Sequence, residues 1–276
     1  MNKIKFLFLL PFLFLSCTSI PNNENFQNSY GNTNLSLEEL LENFESTKIE
    51  EGFELFSGKI EKLKVSWHCV KIDLSNPKLI IKAEPKNQQN IGKKISLKKF
   101  SKKNNTIVAI NSTPFTKKAI PIGITKINQK IITQENQKYC ALGFFYDKNQ
   151  HLKAKIIDFQ NDENIKNCDF AFGGFFKTHN NDDFFIFNKN RRSRTACGLN
   201  NDGSVLYFLV ATPDFKIDDK NGLTYEECAK ILNHFECKTS MQFDGGRSSG
   251  LCIYDKMIEK PFFQRKIASA LGFSIN

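Results

Sequence analysis

The residues most able to do chemistry crowd into one stretch, 239–254, TSMQFDGGRSSGLCIY. Asp244, Arg247, Ser248 and Ser249 put a carboxylate, a guanidinium and two hydroxyls on a single turn with Gly245, Gly246 and Gly250. The carboxylate offers an acid or base. The glycines allow positive φ and a close approach of backbone to a ligand. Successive N–H groups in such a turn form a concavity that suits an anion. Met241 and Phe243 on one side, and Leu251 and Ile253 on the other, read as two short buried strands. The same letters also spell an ordinary hairpin turn, because Asp-Gly and Gly-Gly are strong hairpin signals. The local sequence leaves both readings open.

Two further stretches could contribute. In 191–203, RRSRTACGLNNDG, three arginines precede a strand of small and apolar residues. Arginine binds phosphate or carboxylate through paired N–H donors. In 106–111, TIVAIN, a buried strand delivers Asn111 into the loop Ser112-Thr113-Pro114-Phe115. The pair Gly173-Gly174 inside FAFGGFF suggests a bend beside a cavity. The four histidines (68, 151, 179, 234) are far apart and no Cys-x-x-C occurs. No metal site and no cofactor are therefore expected. The absence of GxGxxG, GxSxG and GxxxxGK[ST] speaks against a dinucleotide enzyme, an elbow-type serine hydrolase and a P-loop NTPase.

The elements that must hold these residues can be read in order. Residues 1–16 carry Lys3 and Lys5 before an apolar run, the layout of a secretory signal. Ser16-Cys17 at its end resembles a bacterial lipoprotein cleavage box, which makes Cys17 the expected lipidation site and an extracytoplasmic membrane surface the expected location. Residues 17–34 are rich in Asn, Ser, Thr and Pro and read as a flexible tether. A folded domain is expected over 35–276. Capping boxes at Ser36 and Thr224 open helices, and Ser96 to Asn104 reads as a basic helix. Strands are expected at 63–73, 79–83, 106–111, 140–146 and 205–211, with a hairpin over 120–132. A strand–helix–strand unit leads into Asp244. The expected class is α+β, a single domain with a mixed, mainly antiparallel sheet and peripheral helices.

The chain carries a formal charge of +10. That favours an anionic partner such as a phosphorylated glycan or a membrane surface. The lysines are scattered, with no aromatic-studded basic motif, so nucleic acid is not the expected partner. Eight cysteines are present; with Cys17 lipidated, the other seven are an odd set, leaving at least one unpaired.

Taken together, VAINSTPF, IPIGITKINQK, AFGGFF, RSRTACGLNNDGSVLYFLVA and LTYEECAKILNHFECKTSMQFDGGRSS resemble, in order, the motifs of the phosphodiester glycosidase family. The resemblance runs from about residue 62, with VSWHCVKIDLSNPKLII as its opening strand, to the C-terminus. The sequence departs at Ser112-Thr113-Pro114, where the family usually carries glycines, and at Arg247. The resemblance implies hydrolysis of a sugar–O–phosphate bond at the anomeric carbon of a sugar-phosphodiester substrate. It implies Asp244 as the anionic group near that carbon and Arg194 on the phosphate, the two catalytic residues. Asn111 and Thr195 would hold sugar hydroxyls or phosphate oxygens, and Gly245, Gly246, Ser248 and Ser249 would supply backbone and hydroxyl donors. Asp202 and Asp214 are candidates for a second carboxylate. A binding lipoprotein of the same fold, without turnover, is the alternative.

Overall fold

The computed structural model describes residues 34–178, 190–214 and 221–276. The expected signal peptide, Cys17 and nearly all of the tether lie outside the described residues. From Asn34 onward the chain forms one compact unit.

Three short α-helices start where the caps direct. α1 (Leu37–Leu41) and α3 (Tyr225–His234) open on reciprocal capping boxes at Ser36 and Thr224. α2 (Leu97–Asn104) opens on Ser96, whose hydroxyl accepts from the Lys99 N–H. It ends at Asn105 in the left-handed region, with Lys102 and Lys103 in its last turn. No helix among the described residues is long and apolar enough to cross a membrane.

The rest is strand. In chain order these are β1 (Phe44–Glu50), β2 (Phe53–Ile60), β3 (Val65–Asp73), β4 (Leu79–Glu84), β5 (Val108–Asn111), β6 (Thr125–Ile127), β7 (Lys130–Thr133), β8 (Ala141–Tyr146) and β9 (Leu152–Ile157). There follow β10 (Phe170–Gly173), β11 (Lys177–Thr178), β12 (Arg194–Leu199), β13 (Val205–Pro213), β14 (Thr239–Gln242), β15 (Leu251–Ile253), β16 (Lys256–Glu259) and β17 (Ala270–Ile275). They make a seven-stranded sheet, β1-β2-β3-β13-β12-β14-β11, and two five-stranded sheets, β7-β6-β10-β8-β9 and β16-β15-β5-β17-β4.

The expected single domain with mainly antiparallel sheet and a few helices is present, but the class is corrected from α+β and the sheets are not mixed. The described domain is mainly β, and every strand pair in it is antiparallel. The late strand–helix–strand unit is present, as β13, α3 and β14. Its strands are not neighbours, because β12 lies between them and runs against both. A crossover that would make a parallel pair is thereby turned into two antiparallel ones.

Side chains from all three sheets meet in one core, among them Val70, Phe208 and Met241, Phe144 and Phe172, and Ile110 and Phe273. The opposite face of the seven-stranded sheet packs under α1 and α3 through Trp67, Ala196, Leu209, Cys228 and Leu232. α2 covers the outer face of the β5 sheet with Leu97 and Phe100 on Ala109, Cys252 and Ala270. Central strands such as β13 are thus buried on both faces, which is why 205–211 reads as an unbroken apolar run. The seven described cysteines are buried and unpaired. Burial pushes each thiol up, away from the reactive thiolate.

The Gly173-Gly174 bend serves contact rather than a cavity. A Cβ on Gly174 would stand 2.1 Å from Met241 Cε and 2.5 Å from the Gln242 carbonyl. Gly173 makes room for Gln160, whose amide receives the N–H groups of Ile124 and Asn136 and donates to the Cys140 carbonyl.

Candidate active site

The Asp244 turn is not a hairpin. β14 pairs with β12 and β11 in the seven-stranded sheet, whereas β15 pairs with β5 and β16 in another. Residues 243–250 therefore carry the chain from one sheet to the other, and Asp244 sits at the joint. Such a crossing leaves backbone groups that no ladder satisfies, and the sequence supplies partners for them.

Asn111, at the end of β5, is the central brace. Its Nδ2 donates to the Asp244 carbonyl at 2.5 Å. Its Oδ1 accepts from Thr195 Oγ1 at 2.7 Å and from the Gly250 N–H at 3.1 Å. The Asp244 N–H donates to the Ser112 carbonyl at 3.0 Å, and Ser112 is locked hydroxyl to hydroxyl with Ser269. The Gly246 N–H donates to the Ser193 carbonyl at 2.8 Å. Gly245 and Gly246 are needed for different reasons. A Cβ on Gly245 would stand 2.9 Å from the Ser193 carbonyl, whereas Gly246 has open space around it but a φ of +59°.

The Asp244 side chain is 12% exposed and receives Arg265 Nη2 on Oδ2 at 3.0 Å. Arg265 Nε donates to Ser248 Oγ at 2.7 Å, and its guanidinium lies 4.6 Å from the centre of the Phe115 ring. Burial drives the Asp244 carboxyl above the ordinary carboxylate range. The Ser248 hydroxyl, the Arg265 guanidinium and the Gly245 N–H pull it back without cancelling that effect.

Arg194 opens β12 and is 5% exposed. Its Nε donates to the Leu223 carbonyl at 2.8 Å, its Nη2 to the Asn190 carbonyl at 2.5 Å, and it stacks 4.3 Å over Tyr225. Nη1 has no hydrogen-bond partner among the described residues and lies 3.9 Å from where a Gly245 Cβ would be. Desolvation lowers the Arg194 pKa. Around the turn, Thr113 Oγ1, Ser193 Oγ, Ser249 Oγ and the Gln242 amide are buried without a partner among the described residues. Buried polar atoms are normally satisfied, so this concentration of unused donors and acceptors marks the joint.

The expected site residues therefore converge, with different tasks. Asp244, Ser248, Ser249, Gly245, Gly246 and Arg194 surround the turn, and Asn111 and Thr195 spend their polar atoms inside it. Neither candidate second carboxylate joins them. Asp202 is held in its own turn by Lys153, Asn200 and Ser204, and Asp214 by Ser66 and Lys59. Among the described residues no His, Cys, Asp and Glu cluster could hold a metal ion. Arg265 was missed, because no motif surrounds it. One signal was available: only five of the 39 Lys and Arg residues are arginine, all between 191 and 265. In so lysine-rich a chain, each guanidinium marks a position that needs its planar fork.

A family model described as phosphodiester glycosidase matches residues 104–274. The chain belongs to the phosphodiester glycosidase family. The match begins after β4, so the opening strand 65–81 stands outside it. Among solved structures, a hypothetical protein from Synechocystis superposes with a TM-score of 0.65 at 12% identity, over 85% of this chain and 64% of its own. The zebrafish N-acetylglucosamine-1-phosphodiester alpha-N-acetylglucosaminidase catalytic domain, auto-inhibited by its pro-peptide, gives 0.61 at 13%, over 84% of each chain. A putative exported protein from Burkholderia pseudomallei gives 0.60 at 9%, over 76% of this chain and 74% of its own. At these identities the likeness is one of fold. No curated protein sequence matches the chain.

Proposed function

We propose that this phosphodiester glycosidase family member is a hydrolase of sugar-1-phosphodiesters. In our reading it is held at an extracytoplasmic bacterial membrane surface by lipid on Cys17 and acts on envelope or host glycoconjugates. The observation that carries the reading is the largely buried Asp244 carboxyl, paired with Arg265 at the joint where Arg194 Nη1 has no hydrogen-bond partner among the described residues. The bond broken joins the anomeric carbon to a phosphate oxygen. Water supplies the new C–O bond and its proton balances the released phosphate, giving free sugar and a phosphomonoester. The leaving phosphate needs little protonation, so one carboxyl beside the oxocarbenium-like carbon and two guanidinium groups on the departing charge suffice. Asn111 and Thr195 act in this account by positioning the turn.

The experiment is release of free sugar from a panel of sugar-1-phosphodiesters by the full chain, with binding of the same compounds measured in parallel. One observation favours a second reading, a binding protein without turnover. Ser112 and Thr113 fill the wall beside Asp244 with fully buried side chains where the family usually carries glycine. Saturable binding with no sugar released would select that reading.

A further inference from the structure

The loop that brings Arg265 to Asp244 has a second face. It runs from Lys260 to Lys266, KPFFQRK, between β16 and β17. At its tip Phe262 and Phe263 are 53% and 60% exposed, with ring centroids 4.7 Å apart and planes nearly perpendicular. Of the six large aromatic side chains exposed among the described residues, only these two are neighbours in the chain, and such a pair in water is a feature to explain. Lys260, Arg265 and Lys266 flank the pair in the chain, Arg247 is bonded to the Phe263 carbonyl, and all four are exposed. Of the acidic residues beside them, Glu259 is buried and occupied by His68, Thr212 and the Lys260 N–H, and Asp244 is buried and paired with Arg265.

The loop is also fixed in place. Arg247 Nε donates to the Phe263 carbonyl at 3.0 Å, the Arg265 N–H donates to the Arg247 carbonyl at 2.9 Å, and Gln264 Nε2 donates to the Ser249 carbonyl at 3.0 Å. Exposed rings on a strapped loop lose little freedom on docking. Aromatic rings at the tip with cations at their base match the layering of an anionic bilayer surface, where rings enter the headgroup boundary and Lys and Arg meet the lipid charge. We infer that this loop is a membrane-docking element that seats on anionic lipid. The inference is independent of the proposed activity. It needs only the aromatic pair and its basic collar.

A reporter placed at the tip tests it in the full chain. The protein has one tryptophan, Trp67, which is fully buried. Phe263→Trp adds an exposed indole at the loop alone. With vesicles of phosphatidylcholine plus phosphatidylglycerol carrying brominated acyl chains, its emission should shift to the blue and be quenched several-fold more than with brominated phosphatidylcholine alone. Lys260→Glu with Lys266→Glu in the same background should remove most of that quenching, as should raised salt. The unsubstituted protein should show little quenching of Trp67 in either lipid. No quenching by the anionic vesicles would overturn the inference. So would equal quenching in both lipids, or insensitivity to the charge reversals. A blue shift produced by soluble glycan but not by vesicles would also overturn it and make the rings a sugar-stacking platform.

Discussion

Replacing Asn111 with alanine is the sharpest test of how the joint is built. The substitution removes one donor and one acceptor and strands three buried groups: the Asp244 carbonyl, the Thr195 hydroxyl and the Gly250 N–H. Each buried group left unmade costs about 1–3 kcal/mol. Because they share one small site and can relax together, the total should be about 3–6 kcal/mol, a large part of a typical stability of about 5–15 kcal/mol. Thr195→Val strands only one lone pair of Asn111, since the Gly250 N–H still occupies the other, and should cost about 1 kcal/mol. The double substitution should cost clearly less than the two single losses added, because both act on one hydrogen bond. Urea unfolding followed by circular dichroism gives these values, provided the slope with denaturant stays constant. A loss below about 1 kcal/mol for Asn111→Ala would refute the reasoning, and would return Asn111 to the role of a ligand-facing amide.

Other consequences follow from the same geometry. Gly246→Ala meets open space and should cost only the left-handed strain of about 1–2 kcal/mol, whereas Gly245→Ala runs into the Ser193 carbonyl and should cost more and disturb the turn; thermal unfolding separates them. Glu227 is fully buried, takes both terminal nitrogens of Arg191 at 2.6 Å, and accepts the N–H groups of Leu35 and Thr224. Glu227→Ala should therefore destabilise by about 3–5 kcal/mol and loosen the start of α3, read by hydrogen exchange. The raised Asp244 pKa fixes the sign of a pH effect. Its stabilising contribution is complete below the unfolded value of about 3.9 and is lost as pH rises through the higher folded value, because the native state holds the proton longer. The stability of the native protein relative to Asp244→Asn should thus fall across that window and level off above it. Arg265→Gln should push the carboxyl higher still and extend the window upward.

The legible parts of this chain were those written locally. Ser36 and Thr224 announced their helices because a cap is a short-range hydrogen bond with a fixed offset. β5, β8 and β13 announced themselves as apolar runs. β1, β2, β9 and β16 are not among the expected strands although each pairs with a strand next to it in the chain, and β17 forms only through distant partners, β4 and β5. That the two strands of the late strand–helix–strand unit are not neighbours was hidden, because β12 slips between strands that follow one another around the helix. At the site, Asp244 and Arg194 stood out by residue type. That the Asp-Gly-Gly turn joins two sheets instead of closing a hairpin was undecidable from its letters. Arg265 reaches Asp244 only through the return of the chain from β16, so nothing near either residue spelled their pairing.

The most direct measurement is free sugar released from sugar-1-phosphodiesters by the full-length protein, beside an Asp244→Asn variant shown to be folded. The account predicts release by the native protein and its loss, by a factor of about a hundred or more, in the variant. Equal release by the two proteins would contradict the central place given to Asp244 and to the joint between the sheets.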